Sequence, residues 1–205
     1  MPKLYFRYGT VGSAKTLNLL AVAHNYRQQD KRVLLIKPEI DTRFGLSLIK
    51  TRAGLEAEAD ILAPEVGKIN FPRLDNVVCI LVDEAQFLDP VAIEQFHSIA
   101  HHASPNVGRG IPVICYGLRT DFRSQLFPAA KRLMELADSI EEIKNVCTFC
   151  LHKATFNLKM RDGQPIFSGP PIELGCEELY LPVCGTCYVL RRTGQPATPT
   201  PQVNG

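Results

Sequence analysis

Hydrophobic residues along the chain collect into short unbroken runs separated by segments of helical period. Val33–Ile36, Val77–Val82 and Ile111–Tyr116 are apolar throughout and rich in β-branched residues, the pattern of strands covered on both faces in a parallel sheet. Lys3–Tyr8 is a shorter β-type run that stops at Gly9. Between these runs, Thr16–Gln29 carries a helical stripe through Leu17, Leu20, Ala21, Ala23 and His24. Pro90–Ala103 and Pro128–Ala137 each open with a proline suited to a first helical turn. The alternation predicts an α/β fold with a mostly parallel sheet and helices on both sides. Residues 50–68 are polar and poorly periodic, and read as a mobile surface segment. From Cys147 the pattern changes to short turns and knuckles. The predicted organisation is one domain over 1–144, a small one over 145–192, and a disordered proline-containing tail over 193–205.

Composition narrows the function. With 205 residues, 45% of them hydrophobic, the chain buries one sizeable core and a small satellite. Its 23 basic and 21 acidic residues leave a formal charge of +2, too little for a strong field toward nucleic acid or a membrane surface. Met1–Tyr8 lacks the basic-then-apolar layout of a secretion signal, and no apolar run approaches the ~18 residues a bilayer span needs. The expectation is a cytoplasmic protein acting on a small ligand. Four of the seven cysteines form two Cys-x-x-Cys pairs, which in a reducing compartment point to a metal; Cys79, Cys115 and Cys176 are expected to be unpaired thiols.

Three motifs carry chemistry. Gly9, Thr10, Val11, Gly12, Ser13, Ala14, Lys15 and Thr16 follow the Walker A pattern G-x-x-x-x-G-K-[ST], with Ala14 where the last glycine is usual. Such a loop aims backbone N–H groups at phosphates, sends its lysine to the β and γ phosphates and places its hydroxyl on Mg²⁺. Alanine suits that position only if its φ stays negative. Second, the run Val77–Val82 ends in Asp83 and Glu84, a Walker B arrangement in which Asp83 serves Mg²⁺ and the adjacent Glu84 takes a proton. Third, Cys147-x-x-Cys150 and Cys184-x-x-Cys187 make a four-thiolate tetrahedral set. It leaves no open coordination position, so its zinc is structural. The five histidines show no ligand spacing, His152 beside Cys150 excepted, and Arg191-Arg192 reads as the solvated end of the last helix.

These motifs, together with Leu4-Tyr-Phe, Glu39-Ile-Asp41-Thr-Arg43-Phe, Val82-Asp-Glu-Ala-Gln-Phe87, Cys115-Tyr-Gly-Leu-Arg-Thr-Asp-Phe122-Arg and Tyr180-x-x-x-Cys184, resemble the thymidine kinase family of the cellular and bacterial type. The likeness covers roughly residues 3–190. It implies a RecA-like P-loop domain with a zinc ribbon and a lasso loop over the nucleoside. It implies phosphoryl transfer from ATP with Mg²⁺ to the 5′-hydroxyl of thymidine and deoxyuridine, a homotetramer, and feedback by thymidine triphosphate. By position, Glu84 resembles the general base; Asp41, Arg43, Asp83 and Gln86 join the P-loop at the phosphates. Phe87, Phe122, Phe127, Tyr180 and the stretch Pro171, Ile172, Glu173, Leu174 and Gly175 surround the nucleoside, the last stretch reading the base with its main chain. A rival class is a nucleic-acid-dependent P-loop ATPase with a zinc ribbon. Residues 145–205 are too short for the second RecA-like lobe that a translocating helicase commonly needs, and the near-neutral charge disfavours a phosphate-tracking groove.

Overall fold

A computed structural model describes residues 2–102, 110–170 and 179–194. In chain order the elements are β1 (Leu4–Tyr8), α1 (Lys15–Arg27), β2 (Arg32–Pro38), β3 (Leu48–Lys50), β4 (Glu56–Glu58), β5 (Ile61–Ala63) and β6 (Val77–Val82). There follow a 3-10 turn (Ala85–Phe87), α2 (Pro90–His101), β7 (Val113–Gly117), α3 (Pro128–Leu136), β8 (Ser139–Glu142), β9 (Phe156–Arg161), β10 (Gln164–Ile166), β11 (Leu179–Val183) and α4 (Gly185–Thr193). The chain divides into two units. One comprises Met1–Tyr8, Ala14–Arg119 and Leu126–Ile143; the other comprises Gly9–Ser13, Thr120–Gln125 and Lys144–Gly205.

The first unit is built on a six-stranded sheet in the order β5-β2-β6-β7-β1-β8, with every neighbouring pair parallel. The period-2 alternation of a strand sends successive side chains to opposite faces, and here both faces are covered. Phe6, Leu34, Ile36, Ile80, Val82, Val113 and Cys115 pack on one face with Ile93 and Phe96 of α2 and Leu133 of α3. Val33, Leu35, Cys79, Leu81, Ile114 and Tyr116 pack on the other with Leu19, Leu20 and Ala23 of α1. That double burial is why the strands read as unbroken apolar runs. Helix starts follow local chemistry as well: Asp89 caps α2 by accepting from the Val91 N–H at 2.9 Å, with Pro90 in the first turn.

Residues 50–68 are not an irregular surface segment. β3 and β4 form an antiparallel hairpin whose turn is closed by Thr51, its Oγ1 accepting from the Leu55 N–H at 3.0 Å. β5 then joins the main sheet as its edge, and Asp60 splices it there: Oδ2 accepts from Leu35 N at 2.7 Å while the Asp60 N–H donates to Leu35 O at 2.8 Å. Strands of three residues are too short to show a period, so side-chain splints carry the order that hydrophobic pattern would otherwise signal.

The second unit holds the three-stranded antiparallel sheet β10-β9-β11, with α4 against β9. Among its described residues the buried cluster is Cys147, Leu158, Val183, Cys184 and Tyr188. Helix α4 extends through Thr193 and is capped by Gly194 at φ 69°, so the tail expected from residue 193 begins in a helix. Residues 195–205 lie outside those described.

Ala14 overturns one expectation. It precedes α1 with φ 61° and ψ 26°, in the left-handed region rather than at negative φ. A chain leaving a strand has to reverse sharply to start a helix here, and the left-handed residue makes the reversal; glycine does so without the Cβ clash. That clash costs an alanine about 1–2 kcal/mol, partly offset by its smaller unfolded-state entropy. Ala14→Gly is therefore predicted to stabilise the protein by roughly 0.5–1 kcal/mol. A urea midpoint that falls on this substitution, at unchanged slope, would overturn the conformational argument.

Candidate active site

The carboxyl end of β6 is where the first unit concentrates buried charge. The Asp83 N–H still donates to Ile36 O at 2.9 Å, continuing the sheet one residue past the strand. Its carboxylate accepts from the Thr16 hydroxyl, at 3.1 Å to Oδ2 and 3.2 Å to Oδ1. Walker A hydroxyl and Walker B carboxylate thus meet. Burial, and then the charge of Glu84, raise the Asp83 pKa to about 7. A hard divalent cation suits this pair of oxygen donors, since Mg²⁺ prefers one or two carboxylates together with phosphates and water.

Glu84 does not continue the strand. Its φ of 47° places it in the left-handed region, turning the chain into the 3-10 turn and separating the two acids. One oxygen accepts from Arg43 Nη2 at 2.5 Å and the other from Gln86 Nε2 at 2.6 Å. Burial alone would raise its pKa. The Arg43 guanidinium, the Lys15 ammonium and the Gln86 hydrogen bond outweigh burial and hold it below the usual carboxylate value. Lys15 is itself buried, and desolvation lowers its pKa against the opposing pull of Glu84 and Asp83. Glu84 is thus deprotonated and open to a proton, while the cations that keep it so also weaken it as a base, because base strength falls with pKa.

Arg43 is shared between two acids, donating to Asp41 Oδ1 from Nε at 2.7 Å as well as to Glu84. Asp41 is pressed upward by burial but held low overall by Arg43 and Lys37. Lys37, which belongs to none of the motifs, joins this network. It is 1% exposed, and its ammonium reaches the carbonyls of Leu48 at 3.0 Å and Gly45 at 3.3 Å and the Asp41 carboxylate at 3.6 Å. Its signal was visible: a single lysine at the end of an apolar run must find partners if the strand is buried. Gln86, expected at the phosphates, spends both amide ends internally, donating to Glu84 and accepting from the Leu118 N–H at 2.8 Å. Gly117 makes that possible. A Cβ there would lie 2.6 Å from Gln86 Oε1 and 3.2 Å from its backbone nitrogen. Phe87 and Phe127 meet edge to face at 5.8 Å and pack with the core on the α3 side.

In the second unit, Gly9–Ser13 turns on the Ser13 N–H to Thr10 O bond at 3.2 Å. Residues 120–125 form a compact turn in which Asp121 Oδ1 accepts from the N–H groups of Arg123 and Gln125. Phe122 is 1% exposed, with Tyr180 edge-on at 6.4 Å and the Lys159 ammonium 4.8 Å from its ring centroid. The expected base-reading stretch Pro171, Ile172, Glu173, Leu174 and Gly175 lies outside the described residues, as does Cys176. Cys79 and Cys115 are free, buried thiols.

Cys147, Cys150, Cys184 and Cys187 bring their sulfurs within 4.8 Å of one another, with Cys150–Cys184 at 3.6 Å and Cys150–Cys187 at 3.7 Å. Tetrahedral zinc with Zn–S bonds of about 2.3 Å requires sulfurs about 3.8 Å apart, so the cluster fits the ion. His152 Nδ1 approaches Cys150 Sγ at 3.3 Å but lies outside the four-thiolate set.

A parallel sheet with a Walker A hydroxyl hydrogen-bonded to a Walker B aspartate defines a P-loop nucleotide-binding protein. The thymidine kinase family model matches residues 2–188. The thymidine kinase of Lactococcus lactis subsp. lactis (strain IL1403) is 39% identical over 190 residues, spanning 92% of this chain and 97% of that protein. The thymidine kinase of Chromobacterium violaceum is 41% identical over 196 residues, spanning 92% and 98%. This chain belongs to the thymidine kinase family.

Two measurements test this geometry. Gly117→Ala should destabilise the protein by more than about 1 kcal/mol, and much less in a Gln86→Ala background, because the added methyl strikes the glutamine side chain. Additive costs in the double-mutant cycle would show that Gln86 is not held by this close approach. Metal analysis of the purified protein should return one zinc per chain, and Cys184→Ser should lower both zinc content and thermal midpoint. Under about half an equivalent of zinc in a well-folded wild type would remove the four-thiolate assignment.

Proposed function

We propose that this protein is an ATP-dependent thymidine kinase, transferring the γ-phosphoryl group of ATP to the 5′-hydroxyl of thymidine and of deoxyuridine. The observation that carries the reading is the buried pair at the end of β6, with Asp83 on the Thr16 hydroxyl and Glu84 kept ionised by Arg43, in a chain of this family. The P-loop, Gly9 to Thr16, binds the phosphates, and Lys15 takes the charge that develops on the transferring group. Thr16 and Asp83 hold Mg²⁺, which supplies charge neutralisation at the phosphate oxygens. Glu84 accepts the proton of the attacking hydroxyl, and Arg43, steadied by Asp41, stands ready to donate to the phosphoryl oxygens. Phe122 and Tyr180 belong to the nucleoside side. The working form is taken as a cytoplasmic homotetramer inhibited by thymidine triphosphate. Among the described residues no helix is long and apolar enough to cross a membrane.

The decisive experiment supplies ATP with either thymidine or single-stranded DNA. Turnover with thymidine is expected; DNA-stimulated ATP hydrolysis without thymidine phosphorylation would overturn the reading. Glu84→Gln keeps the shape but cannot take the proton, so kcat should fall by about 10²–10⁴ with ATP affinity little changed. Retention of more than about a third of wild-type kcat, with chemistry limiting, would remove Glu84 as the base.

A further inference from the structure

Strand β9 carries two buried polar residues on one face, Asn157 at 4% and Lys159 at 1% exposure, while Leu158 between them enters the apolar cluster of the second unit. Buried amides and ammonium groups persist where their hydrogen bonds are satisfied, and the partners of Asn157 are telling. Its Oδ1 accepts from the Val11 N–H at 2.9 Å, and its Nδ2 donates to the Thr120 carbonyl at 3.2 Å. The amide orientation is forced, because a backbone N–H must face the oxygen and a backbone C=O the NH₂ group. One side chain thereby joins residues 9–13 of the Walker A motif to the 120–125 turn.

Neighbouring contacts reinforce both ends of this bridge. On the loop side, Asn145 Nδ2 donates to the Val11 carbonyl at 3.0 Å, so both polar groups of Val11 are bonded to asparagines. On the other side, the Tyr188 hydroxyl donates to the Phe122 carbonyl at 2.6 Å, and Lys159 lies over the Phe122 ring. Asn145 is itself held, its carbonyl accepting from the Ala154 N–H at 2.8 Å.

We propose that Asn157 is a positioning residue that holds the phosphate loop and the Phe122 turn in register, so that the segments serving the two substrates rest on one shared amide. This rests on the reading above that Gly9–Thr16 serves ATP and that Phe122 serves the nucleoside. Its two halves are chemically separable. An aspartate at 157 still accepts from the Val11 N–H but cannot donate, and turns a carboxylate oxygen toward the Thr120 carbonyl. A leucine removes both bonds at similar volume. Serine at 145 loosens the loop side alone.

The test is equilibrium titration of the zinc-loaded, full-length protein with thymidine and, separately, with a non-hydrolysable ATP analogue and Mg²⁺. Loss of a buried hydrogen bond corresponds to roughly tenfold in affinity. Asn157→Asp should weaken thymidine about tenfold while leaving the nucleotide within about threefold. Asn157→Leu should weaken both, and Asn145→Ser the nucleotide alone. Zinc content and thermal midpoint, measured alongside, show whether each variant is folded; if the Asn157 variants do not fold, the nucleotide-selective loss in Asn145→Ser carries the test. Equal weakening of both ligands by Asn157→Asp, no effect from either variant at 157, or a thymidine-selective loss in Asn145→Ser would overturn the proposal. Wild type that binds nucleotide but not thymidine would instead overturn the assignment of the nucleoside side, an outcome distinct from these.

Discussion

Two adjacent carboxylates at the buried end of β6 set the terms for the first unit. Like charges at neighbouring positions repel, and each also loses hydration when buried. The fold answers in three ways. The left-handed turn at Glu84 sends the two side chains to different partners. Cations gather, with Arg43 bonded to Glu84 and to Asp41, and Lys15 pulling on both acids of the pair. Asp83 accepts from the neutral Thr16 hydroxyl, and burial with the charge of Glu84 raises its pKa. Burial therefore dominates at Asp83, whereas Arg43, bonded directly to Glu84, holds that acid low. Two identical functional groups at neighbouring positions acquire opposite chemical characters from their surroundings.

The supporting residues follow from that arrangement. Arg43 can serve two acids because Asp41 holds it from behind, and Asp41 is placed by Lys37, whose ammonium also draws in the carbonyls of Gly45 and Leu48. Gln86 locks the second oxygen of Glu84, and Gly117 leaves room for Gln86. A small change at Gly117 therefore reaches the carboxylate through one intervening side chain.

What could be read from the sequence divides along the same physical line. The sheet of the first unit was legible because burial on both faces writes itself as unbroken apolar runs, and Val77–Val82 coincides with β6. Asp83 and Glu84 were legible as a pair because they end such a run. Order that depends on side-chain splints was not: Asp60 pairs β5 to β2 from a polar stretch that looks irregular. At Ala14 residue identity alone argues for negative φ, whereas the turn into α1 imposes the left-handed region. Lys37 and Asn157 lie between. Each is a polar residue in a strand that buries it, so a need for partners could be inferred, but which partners only the tertiary fold decides.

The second unit is held by different means: among its described residues the buried cluster comprises five, two of them cysteines of the four-thiolate set. So small an apolar core stabilises little by itself, and a metal is the usual staple for such a module. The staple's position matters more than its strength. Cys147 lies two residues beyond Asn145, and Cys184 lies two beyond Pro182, the residue that faces Asn157 across β9 and β11. Fixing the four sulfurs therefore fixes the register of the strand pair that aims Asn157 and the approach of the segment that bears Asn145. A structural metal bound there would act on residues 9–13 and 120–125 of this unit without touching any substrate, through two amides that a looser ribbon could not hold in place.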